Sequence, residues 1–398
     1  MSLVSSATYT SAEAGPAKSG RFYLPELDVL RFFAFFAVFV CHVQPYAVTQ
    51  GALGPLFVSG AFGVDLFFAL SGYLLTSLLL RERDQSGDID PKAFYVRRAL
   101  RIWPLYYFFL AFAFLLTRIP ASVIAAPPYP GNLLEPIKPI SYLFLAIFLF
   151  NFDLADSWFT NPSFFMTQLW TISTEEQFYL IWPWLMRYVP RRRIVVLPLV
   201  MIAVSVTIRA ALPLNPYKHV WNNTFTRLDP IAVGILIALM PRLNLRPVHR
   251  VVLVIVGLAS WEFAAYGCGL YEQLSILKIS LGYPAVAIGS GAFLLATLGA
   301  KSLRSDSAMV RSLVYLGKIS YGLYVYDQIA IFIGRLLLFR GALGTLVPPG
   351  YPPLTAMLIY FVLALGINVV LAAASYRWLE SPFLRLKERF TRVPSRAV

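Results

Sequence analysis

The sequence is poor in charge: only 14% of its residues are Asp, Glu, Lys or Arg, against roughly 25% in a soluble domain. With 58% apolar residues beside that deficit, a water-soluble globule is excluded, because its core could not hide so much apolar surface. Cysteine is scarce too. Cys41 and Cys268 both lie in apolar stretches, which excludes a disulfide framework and gives no thiolate pair for a metal. Histidine occurs three times and never at metal-ligand spacing, so no bound metal is expected. The first residues lack any long apolar run and are rich in Ser, Ala and Gly, so residues 1–22 read as a disordered cytoplasmic tail rather than a cleaved signal peptide.

What is abundant is apolar runs of roughly 18–25 residues, the length of a helix that crosses a bilayer. Ten candidates stand at 27–48, 60–80, 101–117, 169–188, 194–212, 225–241, 250–268, 276–298, 313–338 and 354–376. An eleventh piece, 141–152, is too short to cross and reads as re-entrant or interfacial. The expected fold class is therefore an all-α polytopic membrane protein of about ten transmembrane helices plus that short segment. One domain covers 23–385, and 386–398 reads as a basic cytoplasmic tail with no room for a second globular domain.

The net charge of +14 follows the same logic. If 141–152 does not cross, the Lys- and Arg-rich segments fall on one side: Arg81 to Arg101, Arg191 to Arg193, Arg242 to Arg250, Lys301 to Arg311, and the C-terminal cluster. The positive-inside rule then places both termini in the cytoplasm. It also accounts for the excess charge without nucleic acid, which is not an expected partner; the lipid bilayer is.

Ionisable residues inside spans are costly and mark function. Arg31 and His42 share the first span, 11 residues apart. At 100° per residue that is about 1100°, three turns plus roughly 20°, so both lie on one helix face, about 16 Å apart along the axis. Asp65 sits in GVDLFFALSGYLL, where it could orient or acidify a partner. Arg98 and Arg101 in YVRRALRIWPLYY, just before the third span, are neighbours on a helical turn and could clamp phosphates. Glu175 and Glu176 in LWTISTEEQFYLIWPW are about 100° apart on a helix, so at most one can face a given partner, and Tyr179 shares the face of Glu175. Arg227 and Asp229 open another span, and Tyr324 and Asp327 lie in SYGLYVYD. His219 and His249 fall in loops and read as solvated.

A neutral imidazole in a membrane can take a proton from a hydroxyl or thiol, with a carboxylate fixing its tautomer. Arginines at the mouth of the same polar track suit a phosphate-bearing donor. An acyl-CoA has that shape, anionic at one end and reactive at the other. A proton-coupled transporter of a small polar solute would draw on the same residue types, as would a non-catalytic member of a polysaccharide-assembly complex.

The ordered set of Arg31 and His42, GVDLFFALSGYLL, YVRRALRIWPLYY, LWTISTEEQFYLIWP, FTRLDPIAVG, SYGLYVYD and RWLESP resembles the membrane-bound acyltransferase family 3 of bacteria, and it covers most of residues 25–385. The resemblance implies an inner-membrane O-acyltransferase that moves an acyl group, usually acetyl from acetyl-CoA, to hydroxyls of sugars, polysaccharides or macrolide-type metabolites. No permanently bound cofactor is implied; acyl-CoA is a donor substrate. His42 becomes the expected catalytic base, with Glu175 or Asp65 in support, and Arg31, Arg98 and Arg101 fall to the acyl-CoA. Glu176, Tyr179, Arg227, Asp229, Tyr324 and Asp327 are candidates for the acceptor pocket. In one place the chain departs from the family: Asp327 stands where many relatives have histidine, which implies a different acceptor. Some relatives also carry an appended extracytoplasmic hydrolase-like domain, which this sequence lacks.

Overall fold

The computed structural model describes residues 22–43, 54–116, 139–149, 164–211, 218–241, 243–269, 275–340, 354–391 and 393. The expected disordered segment at the N-terminus lies, but for Phe22, outside the described residues. Helices of seven residues or more are α1 (Pro25–Val43), α2 (Gly63–Ser86), α3 (Pro91–Leu116), α4 (Pro139–Ala146), α5 (Trp170–Tyr188), α6 (Val196–Ala211) and α7 (Leu228–Leu239). They continue as α8 (Pro247–Glu262), α9 (Ile276–Thr297), α10 (Ala308–Lys318), α11 (Ser320–Arg340), α12 (Leu354–Ser375) and α13 (Ser381–Lys387). No strand occurs among the described residues.

Local chemistry sets several of these boundaries. Gly87 ends α2 at φ +73°, a left-handed conformation that glycine adopts without a Cβ penalty, and its N–H donates to the Arg83 carbonyl at 2.9 Å. Ser275 and Ser307 cap α9 and α10, each accepting a backbone N–H at 3.3 Å. Pro247 opens α8 at a position where its missing N–H costs nothing.

Six helical stretches among the described residues are long and apolar enough to cross a membrane: Phe57–Ser86, Pro91–Leu116, Arg191–Ala211, Pro247–Gly267, Ile276–Thr297 and Met357–Phe390. They correspond to six of the ten expected spans. Of the other four, three are set apart by charge and one by length. Helix α1 carries Glu26, Asp28 and Arg31, α5 carries Glu175, Glu176 and Arg187, and α11 carries Asp327, Gln328 and Arg335. Helix α7 has only 12 residues. Most of the polar residues singled out above lie in these four segments, while Asp65, Arg98 and Arg101 lie in helices that are apolar enough to cross.

Two expectations about boundaries are corrected. The segment 313–338 is two helices that break at Ile319, with α10 ending before α11 begins. Arg98 and Arg101 do not precede the third span; α3 starts at Pro91 and contains them. Past α13 the chain packs on α3, where Arg97 donates to the Phe390 carbonyl at 2.9 Å. The first part of the 141–152 piece, to Ala146, lies in α4, whose eight residues span only about 12 Å; 150–152 lie outside the described residues.

Close backbone packing fixes the frame. A Cβ on Gly234 of α7 would lie 2.0 Å from the Ala69 carbonyl oxygen of α2, and one on Gly72 would lie 2.3 Å from that of Ile231. The two helices therefore touch backbone to backbone, as small residues allow in membrane bundles. At one end of the bundle Gly317, near the end of α10, meets the Asp28 carbonyl of α1. Further along, His42 of α1 meets Asp327 of α11. One contact lies on α10 and the other on α11, so the α10–α11 run passes beside α1 in the direction that α1 takes.

Candidate active site

Two adjoining hollows share part of their walls. The first, a vestibule at the end of the bundle where α1 begins, is bordered by Tyr23, Asp28, Glu82, Phe94, Arg97, Lys387 and Thr391, among others. The second is a deeper cleft between α1, α2, α3, α5 and α11, with Ser71, Thr171, Glu175, Tyr179, Ser320, Tyr321 and Tyr324 on its walls. Arg31, Arg98 and Arg101 line both. Three guanidinium groups thus stand at the passage from vestibule to cleft.

The arginines differ in what holds them. Arg31 donates to Asp28 at 3.2 Å, and Tyr23 steadies the same carboxylate at 2.9 Å. Arg97, beside the passage, is neutralised by buried Glu82 at 2.9 Å. Arg98 is flanked by aromatic faces: its guanidinium carbon lies 5.6 Å from the ring centres of Phe94 and of Tyr179. Its Nε has no hydrogen-bond partner among the described residues.

Inside the cleft, Glu175 accepts from Ser71 at 2.5 Å and from Tyr179 at 2.8 Å. The helical spacing of Glu175 and Tyr179 brings them together on α5. Glu176 turns away, as two adjacent helical residues must; it accepts from the Trp103 indole at 3.2 Å and does not line the cleft. Tyr324 sits on the α11 wall, where Thr171 donates to its hydroxyl at 2.9 Å and that hydroxyl donates to the Gln168 carbonyl at 3.1 Å.

His42 occupies the last turn of α1, and its Nδ1 lies 2.6 Å from Asp327 Oδ2. It is not on the wall of the cleft; Tyr324, one turn before Asp327 on the same helix, is. The track from Arg31 therefore follows α11 through Ser320, Tyr321 and Tyr324 toward the His42–Asp327 pair. The carboxylate that reaches His42 is Asp327, not Glu175 or Asp65. Asp327 was read as an acceptor-pocket residue, because nothing in its own segment points at a histidine 285 positions away.

Asp65, Arg227 and Asp229 are taken up elsewhere. Arg227 donates to Asp65 at 2.7 Å, and Arg209 grips Asp229 with two bonds of 2.8 and 2.6 Å. Trp221, Tyr283 and Trp170 wall the Arg227 guanidinium at 4.4, 4.9 and 5.7 Å. This ionic knot ties α2, α6 and α7 together and shares no residue with the cleft. Arg209 was missed by sequence reading, although an arginine closing an apolar run at TIRAA was a usable signal. Ser71, Gln168 and Thr171 left no such signal, since hydroxyl and amide residues are common in membrane helices. His249 is exposed, but it lies in the first turn of α8 rather than in a loop. Both cysteines are free, and among the described residues no group of three or more His, Cys, Asp or Glu could hold a metal.

Comparison with known proteins converges on one family. The profile described as "Acyltransferase domain" matches residues 24–373. A Staphylococcus aureus (strain COL) protein, provisionally named as an O-acetyltransferase, is 27% identical over 91% of this chain and 57% of its own length. The O-acetyltransferase OatA of Staphylococcus aureus (strain NCTC 8325 / PS 47) is 25% identical over 90% of this chain and 57% of its own. The chain thus spans just over half the length of these relatives. No solved structure matches it. With most of its length under the family profile, the chain belongs to the membrane-bound acyltransferase family 3.

Proposed function

We propose that the chain is an integral-membrane O-acyltransferase that moves an acyl group, acetyl first among candidates, from acyl-CoA to a hydroxyl of a carbohydrate, surface polysaccharide or related metabolite. Family membership and the O-acetyltransferase names of its relatives support the reaction class. The observation that carries the donor is the set of three arginines shared by vestibule and cleft. Guanidinium groups at a narrow passage suit the phosphates of a nucleotide, and Arg is the side chain fitted to bind them at two points. The slim arm of the donor then has the cleft to run through.

In this reading His42 is the general base. As the acceptor oxygen attacks the thioester carbonyl, its proton passes to the imidazole. The tetrahedral intermediate collapses, the carbon–sulfur bond breaks, and the imidazolium returns the proton to the leaving thiolate, giving free CoA and an acyl ester. Tyr179 and Tyr324 are the residues assigned to the acceptor side, each offering a ring edge and a hydroxyl in the cleft. The vestibule faces the cytoplasm of a bacterium in this scheme, with both termini on that side of the inner membrane, because its rim carries Arg97, Arg98, Arg101 and Lys387.

The test is thiol release by the protein in lipid nanodiscs supplied with acetyl-CoA and a panel of hexoses and soluble polysaccharides. Wild type is expected to release CoA, and His42→Ala to insert normally and release none. Near-normal turnover in that variant overturns the scheme. Flux of a solute through sealed vesicles without any acyl donor, and no thiol release, returns the transporter reading instead.

A further inference from the structure

We propose that Asp327 is the positioning residue for His42: its carboxylate accepts the Nδ1 proton, holds the imidazole in the Nδ1–H tautomer, and leaves Nε2 as the nitrogen that receives the acceptor's proton. The inference rests on the acyl-transfer reading and deepens it.

Four observations carry it. The Nδ1–Oδ2 distance is 2.6 Å, at the short end even for a charge-assisted bond. Asp327 is fully buried while the His42 side chain keeps 27% exposure, so the carboxylate is the fixed member and the ring the accessible one. Asp327 Oδ1 has no hydrogen-bond partner among the described residues. A buried carboxylate with one of its oxygens unsatisfied costs stability, so packing alone is a poor reason for it. The other two candidate carboxylates are committed elsewhere, Asp65 to Arg227 and Glu175 to Ser71 and Tyr179.

The turn of α11 that presents Asp327 is pinned on several sides. Gln168 donates its side-chain amide to the Val325 carbonyl at 3.1 Å, and Asn368 of α12 donates to that of Leu323 at 3.1 Å. The Tyr324 hydroxyl is held by Thr171 and Gln168. Buried hydrogen bonds from separate segments thus fix the turn of helix that leads into the carboxylate. Such outer support is what a group needs to hold another within a few tenths of an ångström. A base whose tautomer is fixed by a buried carboxylate needs no reorganisation when the hydroxyl arrives.

Two measurements on the full chain in nanodiscs test this. The first is 15N NMR of protein labelled in its three histidines, with His42 assigned by its loss in His42→Ala. Nδ1 of His42 is expected to carry a proton in wild type and to lose it in Asp327→Ala. The second is thiol release from acetyl-CoA. Asp327→Ala is expected to lower kcat by roughly 100-fold or more while KM for acetyl-CoA stays within about twofold, since the arginines are untouched. Asp327→Asn preserves the volume and serves if alanine does not insert; the same loss of kcat at constant KM is expected. Protonated Nδ1 in Asp327→Ala, or turnover within threefold of wild type in either variant, overturns the inference. If His42→Ala itself retains turnover, the acyl-transfer reading fails, and the NMR result still decides whether Asp327 sets the tautomer.

Discussion

Arg227, in the turn that leads into α7, donates to Asp65 of α2 at 2.7 Å, and both side chains are shut away from solvent. The pair sits against the neighbouring Arg209–Asp229 bridge, so two cations and two carboxylates share one buried pocket. Such a knot is costly to assemble and far more costly to break by half. Removing Asp65 alone strands the guanidinium. Asp65→Ala is expected to destabilise the protein by about 3–5 kcal/mol. Replacing Asp65 and Arg227 together with Leu and Met is expected to cost much less. Thermal unfolding in detergent, followed by size-exclusion chromatography, checks both; equal losses in the single and double variants would contradict a charge-pair role.

Arg98 lies between two aromatic faces at the passage from vestibule to cleft. If it holds donor phosphates, Arg98→Ala is expected to raise KM for acetyl-CoA by about 10- to 100-fold, the worth of a charge-assisted bond. The effect on kcat is expected to be smaller. Arg98→Lys should recover only part, because an ammonium lacks the planar fork. Initial rates of thiol release over a range of acetyl-CoA concentrations separate these outcomes.

Glu175 gathers two hydroxyl donors on one carboxylate. In Glu175→Ala both Ser71 and Tyr179 lose their acceptor in the cleft wall, and Tyr179 no longer has a fixed hydroxyl. The expected cost is about 1–3 kcal/mol in stability. Turnover with the acceptor panel should also fall. Unchanged melting and unchanged turnover together would remove Glu175 from the site.

Gly234 and Gly366 form a contrasting pair. At Gly234 a methyl group would collide with the Ala69 carbonyl, and backbone cannot give way cheaply. Gly234→Ala is therefore expected to push α2 from α7 and to reduce folded yield sharply. At Gly366 a Cβ meets nothing within 4 Å, and Gly366→Ala is expected to be neutral or to stabilise by up to about 1 kcal/mol through helix propensity. Folded yield from matched expressions measures both.

Much of the site was legible along the chain, because helix geometry is local. A rotation of 100° per residue puts Arg31 and His42 on one face, turns Glu176 away from Glu175, and brings Tyr179 onto Glu175. What the sequence reading got wrong were relationships between helices. Asp65, Arg227 and Asp229 look in the sequence like three separate polar intrusions. Packing gathers them with Arg209 into one knot away from the cleft. The helices α1, α5 and α11 carry enough charge to fail a simple apolarity test, and partners in the fold compensate those charges.

By itself the sequence determined that the chain is a helical membrane protein that resembles the acyltransferase family 3, and that Arg31 and His42 lie on a common helical face. Composition and run length suffice for the membrane class and periodicity for the shared face, since each acts within one segment; the family came from the resemblance of the ordered motifs. Only the tertiary structure decided which carboxylate serves His42. Asp327 reaches it from α11 because α1 and α11 run side by side, and that neighbourhood is set by close packing between segments far apart in the chain. No periodicity within either segment encodes it.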